Sequence, residues 1–388
     1  MKIKINYIYS FPLGASVGLL LSSHAIRSVI HIDFHKMLVS LLLLIILYAL
    51  FMVILNKNWK FDLPGKYTFI FTFIFLIYAL LTTIINVNIV KFLELFSVLL
   101  PVSLFILIKA KDEEINIIKW IVIFSCLIQA VVLIIDRSHV IHWILNYLLV
   151  GSLLPVAIIY CFGSVWTTER LTAKLFYFST FCVMFLGLMR VQGRYSAMAA
   201  VVGIIIVFIL NFRAILRSTF GKILLLALFT QLPNVWALIK TAHAYKRFLE
   251  FNILEFDRIE IFHGYLLIVK NNWISGFGAG GTPELAFHFY PHNYILEFFT
   301  EFGIIGLGFA ILITFAAAIN LALTYRLNNS NDRFVAILLV YYVFFFLKSA
   351  TIYDAYVLFI CFGLALSRSR ESVQKNTIVN RNPLVRKV

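Results

Sequence analysis

The chain has little charge and no stretch of soluble composition. Of its 388 residues, 13% are charged, 62% are hydrophobic and 39 are Phe, whereas charged residues make up roughly a quarter of a soluble domain. This shortage of charge excludes an ordinary soluble protein, because the apolar runs recur from one end of the sequence to the other. We therefore interpret residues 1–388 as a single all-α, polytopic membrane domain.

The sequence also lacks the usual signals for disulfides and metals. It has 4 cysteines, all within apolar runs and without CxxC spacing. These are Cys126, Cys161, Cys182 and Cys361. There is no DxD-like motif and no His/Glu cluster with the spacing of metal ligands. We expect no disulfide, no metal and no cofactor.

Long apolar runs dominate what is present, many of them of the length needed to cross a hydrocarbon core of about 30 Å, and they predict about 12 candidate membrane helices. The predicted spans are 7–25, 37–55, 67–87, 92–108, 117–135, 143–162, 174–189, 195–212, 222–238, 292–323, 334–350 and 355–367. Such a chain is expected to have membrane lipids as constant neighbours.

The basic residues indicate how these spans are oriented. A formal net charge of +15 is also typical of nucleic-acid partners, but here the basic residues are scattered between apolar segments, so we expect no nucleic acid. Placing the N-terminus in the cytoplasm puts most of the 33 lysines and arginines on the inner side, including those of the tail at 368–388. This matches the positive-inside bias and predicts that both termini are cytoplasmic.

In this orientation all 9 histidines and the one long loop, 239–291, lie on the outer side. Histidine also favours membrane interfaces for purely structural reasons, so only His288 and His292 stand out. Within the loop, residues 257–273 carry apolar side chains at roughly helical spacing. This spacing predicts an amphipathic helix lying on the membrane surface.

His292 stands at the mouth of one of the longest apolar runs, between Pro291 and Asn293. A membrane enzyme would keep a base at such a position. Glu297 and Glu301 follow within the run, one helical turn apart. An ionisable group in a span is a functional candidate, although a glutamate in a first helical turn is also favoured by the helix dipole. Paired carboxylates are typical of glycoside hydrolases too, but a hydrolase of soluble glycans has no need of so many spans.

Two arginines and a glycine-rich stretch are further candidates on the outer side. Arg190 and Arg194 flank a short turn between spans, where guanidinium groups could bind a lipid diphosphate or simply reach the phospholipid headgroups. Residues 275–282 include Gly278 and Gly280, whose N–H groups could contact phosphate or form a plain turn. Further on, the glycines of 303–308 predict a smooth face for close helix packing.

Three stretches of the sequence now resemble one family. They are VQGRYSA at 191–197, DRIEIF at 257–262 running on to WISGFG at 273–278, and HNYILE at 292–297 followed by GIIG at 303–306. In this order they resemble the superfamily of bacterial O-antigen ligases and O-antigen polymerases. The likeness covers about 190–310, and the remainder agrees only in the number and direction of spans.

The resemblance implies a membrane fold of the glycosyltransferase C type in the bacterial inner membrane, with a metal-independent active site facing the periplasm. Its donor would be a glycan on undecaprenyl diphosphate. By resemblance, Arg194 and Arg258 bind the diphosphate, with Arg247 and Arg190 as further candidates. His292 would be the catalytic base, with Asn293, Glu297, Gly278 and Gly280 as supporting residues.

The acceptor distinguishes the two enzymes of this superfamily. A polymerase transfers to another lipid-linked repeat unit and works with a chain-length regulator, whereas a ligase transfers to the lipid A-core. The compact outer loop and the Phe/Ile/Asn/Lys-rich composition favour an O-antigen or capsule polymerase, and the ligase is the alternative. A flippase or transporter of lipid-linked sugars is a third hypothesis, but no internal repeat of the kind common in transporters is visible.

Overall fold

The fold was examined in a computed structural model, which describes residues 13–23, 63–86, 88–108, 110–135, 152–191, 194–241, 254–281, 291–326, 329–348 and 351–368. All regular structure in these ranges is helical. The predicted span 37–55 and nearly all of the basic tail lie outside the described residues.

Eleven helices are described in full, in addition to a helical stretch at 13–21. They are α1 (Leu63–Asn86), α2 (Ile89–Ile108), α3 (Asp112–Ile135), α4 (Leu154–Thr167), α5 (Leu171–Arg190), α6 (Arg194–Arg217), α7 (Thr219–Thr241), α8 (Leu254–Asn271), α9 (Tyr294–Thr324), α10 (Ser330–Phe346) and α11 (Tyr356–Leu366). A short 3-10 helix, Ile352–Asp354, precedes α11.

The chain is a helical membrane protein. Within the described ranges, 5 helices are long and apolar enough to cross a membrane. These segments are Tyr67–Ile84, Asp112–Ile135, Leu171–Arg190, Tyr195–Arg217 and Tyr294–Thr324. The helices α4 and α11 are apolar but shorter.

Several helices begin earlier than their apolar runs predict, because polar residues stabilise their first turns. The first turn of α3 holds Asp112, Glu113 and Glu114, and carboxylates are favoured at a helix N-terminus by the helix dipole. Asn329 caps α10 by accepting a hydrogen bond from the N–H of Asn331 at 2.8 Å. In both helices a polar first turn therefore precedes the apolar run.

The chain divides into two compact units. The first comprises Met1–Leu13, Leu42–Ile115 and Asp257–Val388, and the second comprises Gly14–Leu41 and Asn116–Phe256. The sequence predicts one membrane domain over the whole chain, and this stays a prediction.

In the first unit α11 lies at the centre. It packs against α2, α9 and α10, and all of its residues are buried, as expected for a helix that is apolar on every side. Close approach to α2 depends on Gly363, because a Cβ there would lie 2.8 Å from the Cβ of Phe105. The helix α1 completes this core by packing against α2 and α9.

In the second unit α4 is the buried helix, packed against α5 and α6. Glycine again permits the contact, since a Cβ on Gly203 of α6 would lie 2.2 Å from the Cδ1 of Ile159 on α4. Small residues at helix contacts are usual in membranes, where packing takes the place of the hydrophobic effect between helices.

The helix α9 is broken at Gly303, which has φ 61° and ψ −153°. The sequence predicts that this glycine contributes a smooth packing face, whereas the structure uses it to interrupt the helix. A turn formed by residues 272–281, which we call the glycine turn, packs into this break. The N–H of Ile304 donates to the carbonyl of Trp273 at 2.8 Å, and the N–H of Phe277 donates to the carbonyl of Thr300 at 3.1 Å.

These bonds satisfy the backbone groups that a break would otherwise leave unpaired in an apolar environment. The N–H of Gly278 adds a bond to the Glu301 carbonyl at 2.7 Å. The Tyr78 hydroxyl of α1 donates to the carbonyls of both Ser275 and Phe302. The backbone around the break in α9 is therefore stabilised by hydrogen bonds from other segments of the first unit.

Replacing Gly303 with alanine is expected to destabilise the protein. A Cβ there would lie 2.1 Å from the Ile274 carbonyl oxygen, and the backbone strain alone is worth roughly 1–3 kcal/mol. The matched control is Gly308→Ala on the same helix, where a Cβ meets nothing within 4 Å. The thermal unfolding midpoint in detergent should fall for Gly303→Ala and not for Gly308→Ala, and equal midpoints would contradict the tight fit at the break.

Candidate functional site

His292 lies immediately before α9 in an unusual backbone conformation. Its φ of 52° makes it the one non-glycine residue with positive φ among the described residues. This left-handed conformation is disfavoured by roughly 1–2 kcal/mol for L-residues, and residues held in it cluster at functional sites. The side chain is neither fully buried nor fully exposed. The structure thus places a histidine in strained backbone at the mouth of the helix.

Asn293 fixes this position from the next residue. Its side-chain oxygen caps α9 by accepting a hydrogen bond from the N–H of Leu296 at 3.1 Å. Its side-chain nitrogen donates to the carbonyl of Leu347, just beyond α10, at 3.1 Å. One amide therefore joins the start of α9 to the end of α10 directly beside His292.

Glu297 and Glu301 face the segment between α10 and α11. Both carboxylates are almost fully buried. Glu297 accepts hydrogen bonds from the Thr351 hydroxyl and from the N–H of Ile352, the latter at 2.8 Å. Glu301 accepts from the Tyr353 hydroxyl at 2.5 Å. The two carboxylates hold residues 351–354 against α9, through both oxygens of Glu297 and one oxygen of Glu301.

A lysine and further carboxylates adjoin this pair. Lys91 lies with its Nζ 4.7 Å from the ring centroid of Tyr353 and 2.6 Å from the carboxylate of Glu94. Burial raises the pKa of Asp354, and the positive charge of Lys91 opposes that rise. Burial, followed by the charge of Glu301, raises the pKa of Tyr353 well above its usual value. Tyr353 is therefore protonated and acts as a hydrogen-bond donor.

The sequence did not reveal five residues of this cluster, which are Lys91, Glu94, Thr351, Tyr353 and Asp354. One signal was present, because Lys91 and Asp354 each lie in a short polar interruption between two predicted spans. Their association depends on how α2 and α11 pack, which local patterns do not reveal.

The glycine turn uses its N–H groups within the protein. The N–H of Gly278 is bonded to the Glu301 carbonyl, and the N–H of Ala279 donates to the Thr83 hydroxyl at 3.3 Å. The backbone of Gly280 interacts with the Glu301 carboxylate, and a Cβ on Gly280 would lie 2.6 Å from Cγ of Lys91. These contacts favour a supporting role for Gly278 and Gly280 over direct binding of phosphate.

The predicted diphosphate-binding arginines are only partly described. Arg190 is the last residue of α5 and is exposed. Arg194 begins α6, and Arg258 lies in α8, but the side chains of both lie outside the described residues, as does the whole of Arg247. Arg190 and Arg194 belong to the second unit, whereas Arg258 and His292 belong to the first. The binding role of these arginines stays a prediction.

A second charged cluster lies at the opposite end of α9. Arg326 contacts Asp332 at 2.8 Å and Asp112 at 3.1 Å. Arg368 contacts Asp112 at 2.8 Å and also pairs with Asp332. From the sequence, both arginines are predicted to act as topology signals. The structure shows that they also pair with carboxylates of α3 and α10, in a group whose formal charges cancel.

Within the described residues, no group of three or more His, Cys, Asp or Glu side chains is arranged to hold a metal ion. No protein-family model matches this sequence, and no curated protein was found to be similar to it.

The bond between Tyr353 and Glu301 gives a direct test of the buried network. Tyr353→Phe removes the donor and leaves a buried carboxylate oxygen unsatisfied, which is expected to destabilise the fold by about 1–3 kcal/mol. Tyr67→Phe is the matched control, because Tyr67 is 66% exposed. Unfolding midpoints in detergent should separate the two variants, and a Tyr353→Phe protein as stable as the control would rule out the network as a support of the site.

Proposed function

We propose that this chain is a glycosyltransferase of the bacterial inner membrane. It polymerises O-antigen or capsule repeat units, carried on undecaprenyl diphosphate, at the periplasmic face. The observation that carries the proposal is His292, a titratable side chain held in strained backbone at the mouth of a membrane helix. Neutral imidazole has an ordinary pKa near 6.5, which suits a general base at neutral pH.

The proposed topology has about 12 spans and cytoplasmic termini, in a glycosyltransferase C type fold. Contacts within the first unit support this arrangement. Segments that the topology puts outside, Asn88–Lys91, 275–281 and 351–354, meet near the start of α9. The four residues of the charged cluster, which it puts inside, meet beyond the other end of α9.

In the proposed reaction the arginines bind the diphosphate of the donor. The candidates are Arg194 and Arg258, with Arg247 and Arg190 as further contacts. His292 accepts the proton of the acceptor hydroxyl while that oxygen forms a bond to the anomeric carbon. The bond from this carbon to the diphosphate breaks, and undecaprenyl diphosphate leaves as an anion that guanidinium groups stabilise. Direct displacement inverts the anomeric centre, and the route needs neither metal nor cofactor.

The buried carboxylates have a supporting role in this scheme. A glycoside hydrolase needs two carboxyl groups open to substrate and water. Here Glu297 and Glu301 are buried and bonded to residues 351–354. They stabilise the helix that carries His292, and Asn293 caps it. This geometry argues against the hydrolytic alternative.

Deleting the gene tests the proposal and separates the two acceptors. Loss of a polymerase leaves lipopolysaccharide core capped with a single repeat unit, whereas loss of a ligase leaves uncapped core while lipid-linked polymer accumulates. A gel of the lipopolysaccharide distinguishes these outcomes. An unchanged gel would contradict both O-antigen enzymes, and measuring capsular polymer in the same strain then tests the capsule. Accumulation of lipid-linked single units in the cytoplasmic leaflet would indicate the transporter instead.

A further inference from the structure

The glycine turn is bonded to α9 well inside the predicted membrane span. The break at Gly303 lies nine residues after the first residue of α9, Tyr294. At 1.5 Å per residue this is about 14 Å along a helix of 31 residues and about 46 Å, so the break lies within the part that crosses a hydrocarbon core of about 30 Å when the helix is centred in it. The Ile304–Trp273 and Phe277–Thr300 backbone bonds hold the turn at that level.

A second helix gives an independent measure of depth. The hydroxyl of Tyr78 donates to the carbonyl of Ser275 at 3.1 Å. Tyr78 lies in the span Tyr67–Ile84, about 9 Å along the helix from Ile84. Hydrogen bonds to α9 and to α1 therefore place the part of the turn around Ser275 within the length of both spans, on the side of the membrane where α9 begins.

The exposed side chains of this segment suit lipid rather than water. Trp273 and Ile274 are 52% and 59% exposed, and they lie beside Ile304 and Ile305 of α9, which are 45% and 43% exposed. Since Ile304 is bonded to Trp273, the four side chains form one apolar surface. It continues the outward-facing apolar surface of a membrane-spanning helix.

Exposed apolar side chains continue along α8, at Phe262, Leu266 and Leu267. In the turn that follows, the N–H groups of Phe277 and Gly278 donate to α9 and that of Ala279 donates to Thr83 of α1, which is the pairing that irregular backbone needs at membrane depth.

We propose that the C-terminal part of α8 and the glycine turn form a re-entrant segment. It dips into the leaflet on the side of His292 and contacts lipid acyl chains through Trp273, Ile274 and the exposed residues of α8. The sequence predicts instead a helix lying on the membrane surface. The proposal does not depend on the enzymatic function, because it rests on hydrogen bonds to two membrane helices.

Accessibility of single spin labels in lipid vesicles tests this proposal. The four native cysteines are first replaced, and one cysteine is introduced at Glu260, Leu267 or Ile274, all exposed positions. Ile319→Cys, on the exposed face of α9, is the lipid reference. The ratio of oxygen to nickel-chelate accessibility should rise from Glu260 through Leu267 to Ile274 and reach the Ile319 value there.

Two results would overturn the proposal. Nickel access at Ile274 equal to that at Glu260 would mean that the turn lies in water above the membrane. Low access to both reagents at Ile274, reversed on dilution of the protein into excess lipid, would mean that a second protein copy covers the surface instead of acyl chains. Circular dichroism of the cysteine-free protein and of each labelled protein confirms that they are folded, because three of the replaced native cysteines are buried.

Discussion

Replacing His292 with asparagine is expected to abolish glycan transfer while leaving the protein folded. Asparagine is among the few residues that tolerate positive φ, so the substitution keeps the backbone of the site and removes the base. General base catalysis contributes typically 10²–10⁴-fold, and a loss of that order is expected. The measurement is the initial rate of polymer formation by purified protein in vesicles, together with its unfolding midpoint.

The control for this variant is His263→Asn, the same change at an exposed residue of α8. It should leave the transfer rate unchanged. Donor binding should also survive in His292→Asn, whereas Arg194→Ala or Arg258→Ala should weaken it. A His292→Asn enzyme with the full transfer rate would contradict the assignment of His292 as the base.

Removing Asp332 is expected to have the largest effect on stability. This buried carboxylate contacts Arg326 and Arg368, and Arg368 is itself 7% exposed. Breaking a buried ion pair by deleting one partner destabilises by about 3–5 kcal/mol, because the remaining charge stays buried without compensation. We expect Asp332→Ala to lower the unfolding midpoint strongly, measured in detergent at matched protein concentration.

Glu169→Ala serves as the comparison for Asp332→Ala. It deletes the same formal charge at an exposed site, where surface substitutions usually change stability by no more than about 0.5 kcal/mol. If Asp332→Ala and Glu169→Ala proteins unfold at the same midpoint, the charged cluster is hydrated and does not hold the helices together.

The sequence was sufficient to predict the helical membrane class and the position of several helices. The start of α9 is an example, because the predicted span begins at residue 292 and the helix begins at Tyr294. The locations of α5 and α6 follow in the same way from apolar length. These features are local, so composition and spacing within one segment are enough to reveal them.

Contacts between distant segments could not be predicted. Arg326 and Asp112 are 214 positions apart, and Tyr353 and Glu301 are 52 apart. Arginines near span ends predict orientation whether or not they also have carboxylate partners. The partners become visible only once helix packing is known.

The break at Gly303 was misread for a related reason. Closely spaced glycines at 303–308 suit either a packing face or a change of backbone direction, and the sequence does not distinguish these. The deciding factor is the glycine turn, which comes from a different segment and supplies N–H donors to the carbonyls of Thr300 and Glu301. Glycine is needed at 303 because backbone from that segment occupies the space of a side chain.

We propose that this membrane protein transfers a glycan from a lipid diphosphate, and this transfer can be measured with purified components. The most direct measurement incubates purified protein in vesicles with an undecaprenyl-diphosphate-linked repeat unit, alone or with lipid A-core, in the presence of a metal chelator. We expect release of undecaprenyl diphosphate together with longer lipid-linked glycans. Glycan on lipid A-core would indicate the ligase. Intact donor with both acceptors, from protein shown to be folded, would contradict the account.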